Sequence, residues 1–186
     1  MQKIRLAYDV QNDSIVDGPG IRTVIWTQGC SHNCKGCHNP ETHSFDSGKL
    51  IDIETVKKEI KKYSYNDGIT FSGGDPMFQV EACLELAKYA KSLGQNVWCY
   101  TGFTFEQLLK MSETNKTYLE FLREIDTLVD GKFELKNRNL SLLYKGSTNQ
   151  RVIDVKTSLE LKKAIIDERY NSKQDIMYHT PTGIFI

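Results

Sequence analysis

RTVIWTQGCSHNCKGCHNP, residues 22–40, decides how the chain folds. Its first part is β-branched and aromatic and breaks at Gly29, the pattern of a strand that runs straight into a loop. That loop carries Cys30, Cys34 and Cys37 at the spacing C-x3-C-x2-C. The same figure, a short apolar run halted by small or polar residues, recurs downstream. GITFS (68–72) stops at Gly73-Gly74-Asp75-Pro76, NVWCY (96–100) at Thr101-Gly102, and IDTLVD (125–130) at Gly131-Lys132. Helical spacing fills the intervals. Residues 51–64 place Ile53, Val56, Ile60 and Tyr63 on one stripe with Lys57, Lys58, Lys61 and Lys62 largely opposite, and residues 78–94 form a helix closed by Gly94. Shorter helices are expected over Thr104–Lys110 and Lys116–Arg123, and a late one over 158–170.

Strands alternating with helices imply right-handed crossovers and a parallel sheet, an α/β fold. Such sheets place their chemistry outside the carboxyl ends of the strands. Thiols, exposed backbone amides, the Thr101 hydroxyl and the opposite charges of Asp130 and Lys132 are therefore expected on one rim. The segment from Phe133 to Val155 shows no clear pattern, and the tail from Asn171 to Ile186 is expected to be partly disordered.

With 186 residues, one domain is expected. Lysine plus arginine equals aspartate plus glutamate at 24 each, so no overall basic field draws nucleic acid or anionic lipid. The N-terminal stretch lacks the apolar centre of a signal peptide, and no apolar run approaches the roughly 18 residues of a membrane span. A cytoplasmic protein is expected. In that reducing setting an odd number of cysteines, five, argues for metal or redox chemistry over a disulfide framework. Cys83 and Cys99 stand alone among apolar residues and read as small buried hydrophobes.

Three thiolates in one short loop can wrap an inorganic cluster and leave one iron open to a substrate, since an electron-carrying cubane normally takes four cysteines. Zinc is the rival, with His32, His38 or His43 as the fourth ligand of a structural Cys3His site in an interaction module. Thiol exchange by Cys34 and Cys37 is a third reading, which leaves Cys30 without a task.

VDGPGIR (16–22), GCSHNCKGCHNPETH (29–43), ITFSGGDP (69–76), YTG (100–102), VDGKF (129–133) and GSTNQR (146–151), in this order, resemble the radical SAM superfamily and, more narrowly, the activating proteins of anaerobic, class III ribonucleotide reductase. The match extends from about residue 8 to 155. The resemblance implies an incomplete parallel β/α barrel, with residues 1–155 as the radical SAM core domain and 156–186 as a C-terminal helix and tail. It implies a [4Fe-4S] cluster held by Cys30, Cys34 and Cys37, with S-adenosylmethionine chelated at the fourth iron. It also implies an enzyme, an oxidoreductase that splits S-adenosylmethionine and leaves a glycyl radical on the reductase, with a low-potential donor such as reduced flavodoxin. Activation of another glycyl-radical enzyme is the same chemistry on a different target.

By the same resemblance the loop backbone at Gly36, Cys37 and His38 lies against adenine. Many members carry an aromatic ring directly after the third cysteine, where this chain has His38. Ser72, Gly73, Gly74 and Asp75 follow a strand, and their glycines bare backbone groups to a ligand. Gly-Gly-Asp-Pro also makes an ordinary tight turn. Thr101, Asp130 and Lys132 would hold the methionine carboxylate and ribose, unless Asp130 and Lys132 simply pair with each other. Arg22 and Arg151 are candidates to bind a carboxylate or to face the partner.

Overall fold

The run that opens the cysteine loop becomes the centre of a sheet: Arg22–Thr27 is a strand whose residues are buried on both faces apart from a half-buried Trp26. A computed structural model describes residues 2–171. In chain order the strands are β1 (Lys3–Leu6), β2 (Gln11–Ser14), β3 (Arg22–Thr27), β4 (Lys49–Asp52), β5 (Gly68–Gly73), β6 (Asn96–Tyr100), β7 (Thr127–Asp130) and β8 (Arg151–Asp154). The helices are α1 (Ile53–Lys62), α2 (Val80–Ser92), α3 (Phe105–Thr114), α4 (Thr117–Glu124) and α5 (Val155–Leu161).

All eight strands join one sheet of order β4-β1-β3-β5-β6-β7-β8, with β2 also on β3. The four strands read from the sequence, β3, β5, β6 and β7, are mutually parallel. The wholly parallel sheet is corrected: β1, β2, β4 and β8 pair antiparallel and turn an α/β centre into a mixed sheet. Hairpin-like returns need no crossover helix, so strand–helix alternation gave no sign of them.

Alternation along the strands sorts the two faces. Ile25, Ile69, Phe71, Val97, Cys99 and Leu128 point to the helices and form the main core with Cys83, Leu86 and Phe121. Both isolated cysteines are fully buried there, as expected. On α1, Lys58, Lys61 and Lys62 are exposed as expected, while half-buried Lys57 pairs with Glu54 at 2.9 Å. The opposite sheet face carries Arg22, Trp26, Thr70, Ser72, Trp98 and Tyr100 and, among the described residues, has no helix layered on it; Trp98 instead meets Tyr144 and Tyr170 edge-on at 5.3 and 5.4 Å.

Helix α3 opens with a capping box in which the Thr104 side chain accepts from Gln107 N–H and Gln107 returns the bond. The late helix over 158–170 is also corrected. It starts at Val155, where Asp154 caps it, and ends at Leu161 because Lys162 is left-handed with φ 54°. The chain then turns back along β8, with Asp154 N–H donating to Ile165 and Asp167 N–H to Val152. The β-branched pair Ile165-Ile166 suits that extended path. Apart from Asn171, the expected disordered tail lies outside the described residues.

Candidate functional site

The parallel pairing aligns the strand ends: Thr27 of β3 lies opposite Gly73 of β5. Beyond Thr27 the cysteine loop leaves and returns over the same spot, for Gly29 N–H donates to Thr42 at 2.8 Å and Cys30 N–H to His43 at 3.0 Å. Within the loop, Asn33 (φ 49°) and Gly36 (φ 75°) take left-handed turns, and Cys37 N–H donates to the Cys34 carbonyl at 3.1 Å. The three thiols are half-buried. Burial pushes the Cys30 thiol up to about 11, offset in part by the His32 N–H, and raises Cys34 likewise, offset by the Phe133 N–H and the Lys132 charge. Such thiols stay protonated until a bound cation supplies the charge that stabilises the thiolate. Among the described residues, no group of three or more His, Cys, Asp or Glu side chains is gathered to hold a single metal ion.

Gly73 (φ 97°) and Gly74 lie against the start of this loop. Gly74 N–H donates to Thr27 and Asp75 N–H to Gly29, and a Cβ on Gly74 would stand 2.5 Å from the Gly29 carbonyl oxygen. A tight contact between two backbones thus accounts for this glycine, beside any need to admit a ligand.

Asp75 is turned inward and 1% exposed. Its carboxylate accepts from Met77 N–H (3.0 Å), the Thr101 hydroxyl (2.9 and 3.0 Å), Gly102 N–H (2.9 Å) and His32 Nε2 (2.7 Å). A carboxylate only accepts, so His32 Nε2 carries the proton. One side chain therefore ties the cysteine loop to the ends of β5 and β6. The His32 ring completes the joint against Phe103, centroids 4.5 Å apart, and a Cβ on Gly102 would run into it at 2.4 Å.

A cleft of about 450 Å³ opens at these strand ends, on the sheet face that carries Trp26, Ser72 and Tyr100. Cys30, Cys34, Cys37 and His38 line it from the loop, Ser72 to Asp75 from the end of β5, and Thr101 from the end of β6. The His38 ring is exposed and packs on Phe133, centroids 4.9 Å apart. Gly36, Asp130 and Lys132 are not among the lining residues.

The structure answers the question of Asp130 and Lys132 with a different partner. Asp130, 1% exposed, accepts from Phe105 N–H at 2.7 Å and from Arg151, which also grips Glu106 through two bonds. Lys132 is exposed. Arg22 neither binds a carboxylate nor faces a partner. It is fully buried, and its guanidinium donates to Thr70 Oγ1 (2.6 Å) and to the carbonyls of Ile69 (2.6 Å) and Pro19 (3.0 Å). Burial pushes it down to about 10.

Sequence reasoning missed part of the wall: Asp17, Trp26, Tyr100, Phe133, Tyr144 and Lys145. Alternation in β6 would have placed Tyr100 opposite the core-facing Val97 and Cys99; no pattern marks Lys145.

The sequence model of the family described as "4Fe-4S single cluster domain" matches residues 16–153. The chain is 36% identical over 143 residues to the anaerobic ribonucleoside-triphosphate reductase-activating protein of Enterobacteria phage T4, covering 74% of this chain and 86% of the relative. It is 34% identical over 146 residues to the protein of that name in Escherichia coli K12 (74% and 91%) and 35% over 144 residues to that of Vibrio cholerae (73% and 89%).

Proposed function

The chain belongs to the family of anaerobic ribonucleoside-triphosphate reductase-activating proteins and carries a 4Fe-4S single cluster domain, and from that premise we propose that it is a radical SAM enzyme that installs a glycyl radical on an anaerobic ribonucleotide reductase. The observation that carries this reading is the meeting of three thiols and the Gly73-Gly74 loop in one cleft at the ends of parallel strands.

The donor set fits a [4Fe-4S] cluster. Three soft sulfur ligands come from one short loop, and the His32 and Phe133 N–H groups point at two of the sulfurs, the kind of hydrogen bond that tunes such clusters. A lone zinc ion needs its ligands at about 2.0–2.3 Å from one point, whereas a cubane spreads its thiolates over separate irons. When bound and reduced, the cluster supplies one electron to S-adenosylmethionine, whose cleavage to methionine and a 5′-deoxyadenosyl radical provides the hydrogen abstraction from glycine.

The chain's own residues position and shield. Cys30, Cys34 and Cys37 ligate. Gly36, Cys37 and His38 present the loop backbone to adenine, with Phe133 backing His38. Ser72, Gly73 and Gly74 offer backbone groups to the methionine moiety, while Asp75 and Thr101 act one step removed by fixing the loops. Asp130 positions Arg151 and the start of α3, and Lys132 acts through its charge on Cys34. Residues 1–155 form the radical SAM core, an incomplete barrel whose open mouth admits a glycine-bearing segment of the reductase. The enzyme works in the cytoplasm with a low-potential donor such as reduced flavodoxin; no described helix is long and apolar enough to cross a membrane.

Anaerobic purification with iron, sulfide and zinc analysis tests the reading. Iron with acid-labile sulfide, cleavage of S-adenosylmethionine on reduction, and a glycyl doublet in electron paramagnetic resonance after mixing with the reductase are expected. Zinc without sulfide overturns it.

A further inference from the structure

Charge is balanced over the whole chain but not beside the cysteine loop. Residues 131–138 carry Lys132, Lys136 and Arg138 against one carboxylate, Glu134, and Lys35 stands between Cys34 and Cys37. All four cations are exposed. Glu134 is already engaged, by Asn137 Nδ2 at 2.6 Å and by Lys136 at 3.5 Å. Among the described residues no carboxylate pairs with Lys35, Lys132 or Arg138. Leu135, 42% exposed, and Leu140, 85% exposed, add an apolar spot to the same stretch.

This stretch is fastened to the cysteine loop. Leu135 covers Gly36, where a Cβ would stand 3.1 Å from Leu135 Cδ1. Burial raises the Cys34 thiol, and the Phe133 N–H and the Lys132 charge offset that rise, so both stand near the sulfur. Glu134 N–H donates to Ser147 Oγ at 3.2 Å and Thr148 N–H to the Asn137 carbonyl at 2.9 Å, which closes the stretch on itself. Lys35, Lys132, Leu135, Lys136 and Arg138 are not among the residues lining the cleft. The basic patch therefore lies next to the thiols yet outside the cleft.

We propose that this patch docks the electron donor, a small acidic protein that carries a single low-potential electron. The proposal rests on the function proposed above, in which S-adenosylmethionine and a segment of the reductase take up the cleft and leave the donor to approach from outside it. Such a transfer needs proximity and no bond: the donor loses one electron, the cluster gains it, and nothing else is exchanged. A small apolar centre among unpaired charges suits so brief an encounter. Redox complexes lie at the small end of protein interfaces, below about 1,200 Å², and surface charge governs their rate of association. The reductase, which lodges a segment in the cleft, calls for a longer-lived contact.

The test uses anaerobically reconstituted holoprotein and two reductants, reduced flavodoxin as the acidic carrier and dithionite, which needs no docking. Lys136→Glu with Arg138→Glu reverses two charges of the patch, and Lys58→Glu with Lys61→Glu on α1 makes the same net change elsewhere. Isothermal titration calorimetry with oxidised flavodoxin reads affinity, and freeze-quenched electron paramagnetic resonance reads reduction of the cluster. At low ionic strength the patch variant is expected to weaken flavodoxin binding and slow reduction by flavodoxin roughly tenfold or more, with dithionite reduction unchanged within about twofold. That deficit is expected to shrink in about 1 M salt, where charges are screened beyond about 3 Å. The α1 variant is expected to match the unaltered protein with both reductants. Equal losses in the two variants, or unaltered flavodoxin binding in the patch variant, overturn the proposal. An unchanged flavodoxin rate with lost binding of the reductase also overturns it, and assigns the patch to that partner. If the unaltered protein accepts no electron even from dithionite, the parent reading falls and this one with it.

Discussion

Asp75→Asn isolates what the buried carboxylate contributes, since it changes one atom and no volume. The two backbone donors lie on different oxygens, Met77 N–H on Oδ1 and Gly102 N–H on Oδ2. Whichever way the carboxamide is turned, its NH2 faces one of them, donor against donor. An orphaned buried N–H costs about 1–3 kcal/mol. The bonds from Thr101 and His32 survive in part, by rotation of the hydroxyl or a change of tautomer, but lose the charge that strengthened them. A total near 3 kcal/mol follows, and at about 2–4 °C per kcal/mol for a chain of this size the midpoint falls by about 6–12 °C. Differential scanning calorimetry of the anaerobic protein measures it, with exposed Asp46→Asn as the control expected to shift by less than about 2 °C. If Asp75→Asn melts together with that control, the carboxylate is not the joint between the three loops.

Gly74→Ala drives a methyl group into the Gly29 backbone and is expected to cost about 3 kcal/mol, whereas Gly94→Ala, with nothing within 4 Å but φ at 80°, costs about 1 kcal/mol in backbone strain; urea titration of the pair checks the order. The Arg151 hydrogen bonds hold the Glu106 carboxyl below its ordinary value of 4.5. Its contribution to stability is present above that value and is lost as pH falls through the depressed one. Glu106→Gln should therefore show a shallower decline in melting temperature from pH 5 to pH 3, and parallel declines would count against the pairing. In metal-free protein at pH 8, iodoacetamide should spare Cys83 and Cys99, which are fully buried, and modify Cys30 at a rate rising about tenfold per pH unit towards its value of about 11; peptide mapping reads both. Substitution of Cys30, Cys34 or Cys37 by alanine should abolish reductive cleavage of S-adenosylmethionine, while Cys83→Ala and Cys99→Ala retain it.

The parallel centre was legible because strands buried on both faces must be apolar nearly throughout, and VIW, ITF and NVWCY are. Strand β2, Gln11-Asn12-Asp13-Ser14, has no apolar period at all; it exists because the edge of β3 offers it a partner. Strand β8 is different, for Arg151-Val152-Ile153-Asp154 carries a strand signal that lay hidden in a segment without helices to frame it. In the site, residue types and strand ends were readable, but the direction of a side chain was not. Asp75 and Asp130 both follow apolar runs, and nothing local shows that their carboxylates turn inward. Their donors arrive from Met77, Gly102 and His32 in one case and from Phe105 and Arg151 in the other, residues brought together only by the fold.

That distinction bears on how the polar rim works. A buried charge persists only with partners, so the charges deepest in the strand ends are the ones already spent on the protein itself. Asp75, Asp130 and Arg22 have every reachable oxygen or nitrogen engaged by loops and strands. What faces the cleft with capacity left over is the half-buried set: three thiols, Asp17 and Lys145. Substitutions in the first set should act through stability and through the spacing of the loops, and those in the second through affinity with the fold intact. A motif that spells both sets in one string, as Ser72-Gly73-Gly74-Asp75 does, mixes residues that build the wall with residues that meet the ligand, and only the count of remaining hydrogen-bond capacity separates them.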